Sequence, residues 1–385
     1  MNDYRKYWIW LATVLGPAVR TDEILGAFPE PHKAFEASES ERMLSGVLSK
    51  GQLEKMRTVS MDTAIHYMNL CKKNGWEIIT PDCENYPESL KKLTDIPLAL
   101  YVDGDLGCIR DKVTIGVVGT RNPCYESIAI TRNISGELTK AGAVVISGGA
   151  LGIDSAAHEA ALAAGGKTVC VLGCGLGTDY LRANEAMRRE IGKNGAVISE
   201  FAPFTPASRR TFPQRNRIIS GLSMGVLVVE AGEHSGSLIT AKHANEQGKE
   251  VFAIPGSVLS TAYMGANSLI RDGAKAVGSA KDILTPYAVM YPDRLCLDGL
   301  SGPAKEEIKA SAAEKSKPVK VRKECPKELD PECAAVYGLF GEEPVHPDEI
   351  CAATGLPLSK VISVLMQLEI SDYIEQTEGK NYILK

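Results

Sequence analysis

Six short apolar runs, each rich in β-branched residues and each followed by a stretch of helical spacing, constrain this chain more than any other feature. They are Val113-Thr-Ile-Gly-Val-Val118, Ala143-Val-Val-Ile146, Thr168-Val-Cys-Val-Leu172, Ala196-Val-Ile198, Gly225-Val-Leu-Val-Val229 and Val251-Phe-Ala-Ile254. A run that is apolar throughout, rather than at alternate positions, fits a strand buried on both faces. Between the first two runs, Ile130, Ile134 and Leu138 recur every four residues and line one helical face. Strands alternating with helices in this way specify an α/β fold, a Rossmann-like, doubly wound parallel sheet with right-handed crossovers. Ligands of such sheets sit outside the carboxyl ends of the strands, so the loops after each run are where function is expected.

The texture differs on either side of this region. Residues 1–75 read as a small helical domain of the SAM or helix-hairpin-helix kind, broken at Gly16-Pro17, Phe28–Pro31 and Ser49–Gly51. Residues 76–288 read as the Rossmann-like domain. Residues 289–325, poor in aromatics and rich in Ala, Lys, Glu, Ser and Pro, read as a flexible linker. Residues 326–385 regain a core: two helices joined at Thr354-Gly-Leu-Pro357, then a hairpin through Tyr373 and Tyr382, the outline of a winged helix. Its second helix carries Lys360 as its one cation, which favours contact with protein over reading of a DNA groove.

At 385 residues, 44% hydrophobic and 24% charged, the chain has the composition of a soluble globular protein. A net charge of −5 offers no global basic field, so any binding of nucleic acid has to come from a local groove. The ten cysteines are scattered without a Cys-x-x-Cys pair, and no His cluster has ligand spacing. They read as free, mostly buried thiols in a reducing cytoplasm, with no metal and no cofactor expected. The apolar run Tyr7–Leu15 reads as the first helix of a folded domain rather than a signal segment. No stretch is long enough to span a bilayer, so no membrane is expected.

Three loops after strands carry the chemistry. The first is Gly119-Thr-Arg-Asn-Pro123. The second is Ser147-Gly-Gly-Ala-Leu-Gly-Ile-Asp154, which opens directly into a helix. Glycines at 148, 149 and 152 let backbone N–H groups approach an anion at a helix start. Arg121 is placed to add its fork of donors to the same phosphate. Asp154 is placed to cap the helix. The third loop, after the fourth strand, brings Arg209, Arg210, Arg215 and Arg217 within nine positions, with Phe212 and Asn216 among them and no acid from Phe201 to Leu222. Cations that track phosphates beside a ring that stacks on bases are how single strands are held. Arg215 and Arg217 open the following helix and are equally placed to brace the loop. Gly173-Cys-Gly-Leu-Gly177 resembles half a dinucleotide fingerprint but follows the third strand, which argues against a nicotinamide cofactor.

Gly119-Thr-Arg121, Ser147–Asp154, Ser199-Glu200 and above all Phe212-Pro-Gln-Arg-Asn-Arg-Ile-Ile-Ser-Gly-Leu-Ser223 resemble the DprA/Smf family of DNA-processing proteins. So do Val228-Val-Glu-Ala231, Ser235-Gly-Ser-Leu-Ile-Thr-Ala241, Val251-Phe-Ala-Ile-Pro-Gly256 and Gly265-Ala-Asn-Ser-Leu-Ile270, in order, over residues 86–285. The resemblance implies a non-enzymatic protein that binds single-stranded DNA as a homodimer. It also implies a protein that helps load the RecA recombinase during natural transformation. It implies that Arg121 and the Ser147, Gly148, Gly149 loop hold phosphates, that Arg209 or Arg210 is a basic DNA contact, and that Phe212 contacts a base.

The alternative is a nucleotide-processing enzyme of the phosphoribohydrolase kind, whose Pro-Gly-Gly-x-Gly-Thr-x-x-Glu motif is missing from Glu230-Ala-Gly-Glu-His-Ser-Gly236. Glu233 and His234 would be its acid–base pair. A third possibility is a sequence-specific regulator acting through the winged helix.

Overall fold

The alternating segments form a doubly wound sheet in the computed structural model, which describes residues 3–300, 330–340, 345–371, 373–377 and 381–384. The chain divides into two compact units, Met1–Glu307 and Ile308–Lys385. In the first unit, six strands follow the apolar runs: β3 (Thr114–Val118), β4 (Val144–Ser147), β5 (Thr168–Val171), β6 (Ala196–Ser199), β7 (Gly225–Val228) and β8 (Glu250–Ala253). Three more are not anticipated by those runs: β1 (Glu77–Ile79), β2 (Leu100–Gly104) and the two-residue β9 (Lys275–Ala276). The order across the sheet is β1-β2-β6-β5-β4-β3-β7-β8-β9. All neighbours from β6 to β9 are parallel. β1 and β2 add an antiparallel pair beside β6.

Consecutive residues of the central strands part to opposite layers. Ile115, Val117, Leu227 and Phe252 pack with α8 (Tyr125–Lys140), α9 (Ile153–Ala163) and α14 (Ala280–Met290). Val118, Ile146, Val226 and Val228 face α11 (Thr211–Leu222) and α12 (Ser237–Glu246) on the other side. Burial on both faces explains why the runs are apolar at every position. From β3 the chain steps outward through β4 and β5 to β6, then returns through α11 and sets β7 on the other flank of β3. That reversal puts a topological switch point at the carboxyl ends of β3 and β7.

The helices expected over 1–75 run from α1 (Arg5–Leu15) through α2 (Thr21–Ala27), α3 (Pro31–Glu36), α4 (Glu39–Leu44) and α5 (Lys50–Thr58) to α6 (Met61–Asn74). They lie in the same compact unit as the sheet. Trp8, Trp10, Leu11 and Cys71 share a core with Tyr101, Cys170, Leu172, Val197 and Ile191 of α10 (Glu185–Asn194). Ile9, Trp10, Leu11 and Val14 are fully buried, so the apolar run of α1 is core. The first residues of the linker expected over 289–325 are docked instead: Leu295, Leu297 and Leu300 pack against the α8–α14 layer, and Cys296 N–H donates to Ala141 O at 3.0 Å. Its remainder, 301–325, lies outside the described residues.

The described cysteines are all free, with Cys71, Cys108, Cys170, Cys174 and Cys333 buried. Among the described residues no helix is long and apolar enough to cross a membrane.

In the second unit, α15 (Pro331–Tyr337), α16 (Pro347–Thr354) and α17 (Leu358–Ile370) precede an antiparallel pair, β10 (Ile374–Thr377) and β11 (Asn381–Leu384). This is the winged-helix outline. Gly355 ends α16 in the left-handed conformation at φ 71°, which glycine reaches without a Cβ penalty.

His158 of α9 illustrates how tightly the parallel core is closed. It is fully buried, and its Nδ1 lies 2.8 Å from Thr168 Oγ1. Because that hydroxyl already donates to Val145 O, Nδ1 carries the proton and Nε2 is left without a partner among the described residues. Burial, with the nearby charge of Arg215, lowers its pKa to about 3. The unfolded chain takes up this proton below its ordinary value near 6.5, so the stability in question is present above that pH and is lost toward pH 3. Between pH 7 and pH 5 the folded wild type should lose about 2 kcal/mol more than His158→Gln in urea unfolding. Equal losses in the two proteins would show that His158 is not the group refused its proton.

Candidate functional site

A cavity of about 350 Å³ opens at the switch point. The end of β3, the loop after β4, the first turns of α11 and α12 and the loop before α12 form its walls, with Val118, Ile219 and Ile239 among its apolar lining. Arg121, exposed on the loop after β3, leans over Phe212 with its guanidinium carbon 5.0 Å from the ring centroid. Phe212 is half-buried, lies 5.4 Å from the Tyr180 ring at 45°, and packs where a Cβ at Gly173 would collide with it. Gly173, the first glycine of the fingerprint-like stretch, therefore makes room for an aromatic ring rather than for a dinucleotide. Arg209 and Arg210 are exposed immediately before α11, next to Thr211 and Phe212. None of Arg121, Arg209 and Arg210 has a carboxylate partner among the described residues, in a chain where most other exposed arginines do.

The glycine loop after β4 is built differently from the expected anion cradle. Ser147 is buried and its Oγ donates to Val117 O at 2.6 Å. The interior of the loop is filled by Arg215, only 4% exposed, whose Nη1 donates to Gly148 O at 2.6 Å and to Val171 O. A Cβ at Gly148 would overlap that guanidinium. Gly149, buried at φ 64°, offers its carbonyl to Asn184 Nδ2 at 3.0 Å. Gly152, at φ 79°, lets α9 start against the Thr120 and Arg121 backbone, where a Cβ would meet both carbonyls. Asp154 turns back into the loop and accepts from Ala150 N at 3.4 Å. Burial raises its pKa against the opposing pull of Arg215. Ser147 and Arg215 thus brace the loop from inside, and Arg215 also lines the cavity. The reason is that a neighbouring helix supplies a guanidinium where a ligand was expected.

Arg217 is likewise corrected from a phosphate contact to an internal ion pair. It is 2% exposed, its Nη2 donates to both oxygens of Glu200 at 2.6 and 2.7 Å, and its Nε lies 3.1 Å from Asp95. Asn216 lines the cavity, accepts from Arg215 Nε at 3.2 Å and donates to Gly236 O at 3.3 Å, tying α11 to the start of α12.

Sequence reasoning passes over the start of α12 as a site. Ser235, Gly236, Ser237 and Thr240 line the cavity, and Ser235 Oγ lies 2.8 Å from Ser237 Oγ. Two helix N-termini, those of α11 and α12, therefore face one opening with Arg121 between them, an arrangement suited to an anion. The signal is present, since Ser235-Gly-Ser follows a buried strand and opens a helix, as the Ser147 loop does. Glu233 and His234 are exposed and neither lines the cavity. Glu230 is buried and accepts from Cys124 N at 3.0 Å, which fastens the segment after β3 to the end of β7.

Residues 77–288 match the family model described as DNA recombination-mediator protein A, and residues 322–380 match the DprA winged helix domain. Protein Smf of Synechocystis sp. is 35% identical over 323 aligned positions, in a match that covers 80% of this chain and 79% of that protein. The solved structure of DNA processing protein A from Streptococcus pneumoniae aligns with a TM-score of 0.63 at 32% identity, covering 73% of this chain and 97% of that one. A structure of DNA processing protein A from Helicobacter pylori, described for its single-stranded DNA binding mode, aligns with a TM-score of 0.51 at 30% identity over 56% of this chain and 97% of that one.

Proposed function

The chain belongs to the DprA/Smf family of DNA-processing proteins, and from that membership we propose that its switch-point face binds single-stranded DNA. The observation that carries the reading is the set of three arginines without carboxylate partners among the described residues: Arg121, which lies over the half-buried Phe212 ring at the cavity, and Arg209 and Arg210, just ahead of the helix that opens with that ring. Phosphates would meet Arg121 at the mouth of the cavity and Arg209 and Arg210 at its rim, while Phe212 offers a face to a base. Nothing in this arrangement reads base edges, so little sequence preference follows. The Helicobacter pylori relative, a binder of single-stranded DNA, supports the same class of ligand.

On the same family ground we propose that the chain acts as a homodimer, delivers its strand to the RecA recombinase and catalyses no reaction of its own. Light scattering of the full chain at micromolar concentration should report two copies; a strict monomer would refute the pairing.

Fluorescence titration with an oligothymidylate and with duplex of equal length tests the binding mode. Single strand should bind more tightly. Three arginine contacts should contribute a slope of about −2 in log K against log salt. Equal affinity for duplex, or affinity indifferent to salt, would remove the basis for this function.

A further inference from the structure

A second opening in the first unit lies at the other end of the sheet, among the amino-terminal ends of the central strands. It encloses about 430 Å³ and is bounded by Thr114 at the start of β3, Met224 ahead of β7 and Lys249 ahead of β8. Five cations line it: Lys92, Arg110, Lys112, Lys249 and Arg294. Of its three carboxylates, Asp111 is bridged to Arg294 at 3.3 Å and Glu88 is held by Lys91, which lies outside the lining, at 2.7 Å. That leaves Glu84 against Lys92, Arg110, Lys112 and Lys249. The carboxyl ends of α11 and α12 point the same way and supply about half a negative charge each. About two positive charges are still uncompensated, so capping of helix ends does not account for the cluster.

Lys249 is the most informative member. It is half-buried and its ammonium has no hydrogen-bond or ion-pair partner among the described residues; the same is true of Lys92 and Lys112. Burial pushes the Lys249 pKa down, and the charge of Lys92 pushes it the same way. A desolvated ammonium that faces a second cation is costly unless an anion comes between them. Leu106, Ile109 and the Tyr291 ring, which Arg294 approaches to 4.8 Å, give the opening an apolar side as well.

We propose that this cavity is a second anion site that takes a phosphate-bearing ligand, held by Lys92, Arg110, Lys112 and Lys249 at the end of the sheet away from the switch point. The phosphate belongs to a free nucleotide or to the backbone of a DNA strand that continues around the unit. Either would bridge Lys92 and Lys249 and remove their repulsion.

The experiment is calorimetric titration of the full chain bearing Arg121→Ala, Arg209→Ala and Arg210→Ala, which separates this site from the switch-point face. Pyrophosphate should bind saturably, and adding Lys92→Gln and Lys249→Gln should weaken it roughly tenfold or more. The melting temperature should hold or rise, because the two changes remove a repulsion. Lys92→Gln alone, at an exposed position, gives the same reading without risk to folding. ADP binding that disappears with the lysines assigns a free nucleotide; oligothymidylate binding that disappears with them assigns a strand. Absence of saturable pyrophosphate binding, or binding that both lysine changes leave intact, overturns the site.

Discussion

Arg215→Ala should lower the stability of the first unit by about 3–5 kcal/mol, the cost of breaking a buried charge network by removing one partner, although a count of basic residues makes Arg215 look like a DNA contact. Its guanidinium lies inside the glycine loop and donates to the carbonyls of Gly148, just after β4, and Val171, at the end of the adjacent β5. Without it those carbonyls lose a buried donor, and Asp154, already pushed toward its neutral form by burial, loses the nearest compensating charge. Asp154→Asn should therefore recover part of the loss in the double variant, a coupling expected between residues of one network. Arg121→Ala, on an exposed loop, should change stability by no more than about 0.5 kcal/mol. Urea unfolding of the three variants measures this. If Arg215→Ala unfolds within about 1 kcal/mol of wild type, the value of one ordinary hydrogen bond, the guanidinium is not bracing the loop.

Removing Arg121, Arg209 and Arg210 together should produce the largest loss of strand affinity, roughly 100- to 1,000-fold at low salt, while leaving the melting temperature almost unchanged. The three are exposed and none is ion-paired among the described residues, so the charge of these arginines enters the fold only where Arg121 lies over the Phe212 ring. Each phosphate of a single strand left without its arginine should also flatten the salt dependence by about 0.7 unit, or about 2 for all three. Phe212→Ala should act differently. It should weaken binding by about 1–3 kcal/mol through the absence of stacking and leave the salt slope in place. Because the Phe212 ring also packs on Gly173, Tyr180 and Arg121, some stability should go with it. If the triple arginine variant keeps the wild-type slope, the phosphates are met elsewhere on the molecule.

Most of the architecture is legible from the residues. The six apolar runs become the six central strands, within a residue or two, because full burial on two faces leaves an unbroken apolar signature. The β1–β2 pair escapes notice because Glu77-Ile-Ile79 is too short to show a period and Leu100–Gly104 lies in no repeating βα unit. The winged helix is legible from Gly355 and the two helical spacings around it. Residues 295–300, which composition assigns to a linker, are docked, because Leu295, Leu297 and Leu300 make single apolar contacts that composition averages away.

Within the candidate site, the division runs through one segment. The residues from Arg209 to Arg217 announce a basic cluster, and by themselves they determine that some cations must gather after the fourth central strand. Which of them face solvent is a matter of helix phase and of what lies across from each. Arg209 and Arg210 precede the first turn of α11 and stay outside. Arg215 and Arg217, two apart on the buried part of the helix, enter different interiors: one reaches the carbonyls of Gly148 and Val171, the other reaches Glu200 and Asp95. Those partners are distant in the chain, on β-strand ends and loops that only the return crossover from β6 to β7 brings alongside α11. Charge and spacing are local properties and can be read in order along the chain. Desolvation and pairing depend on neighbours that folding alone supplies, and they separate an arginine that holds the protein together from one left free to hold a ligand.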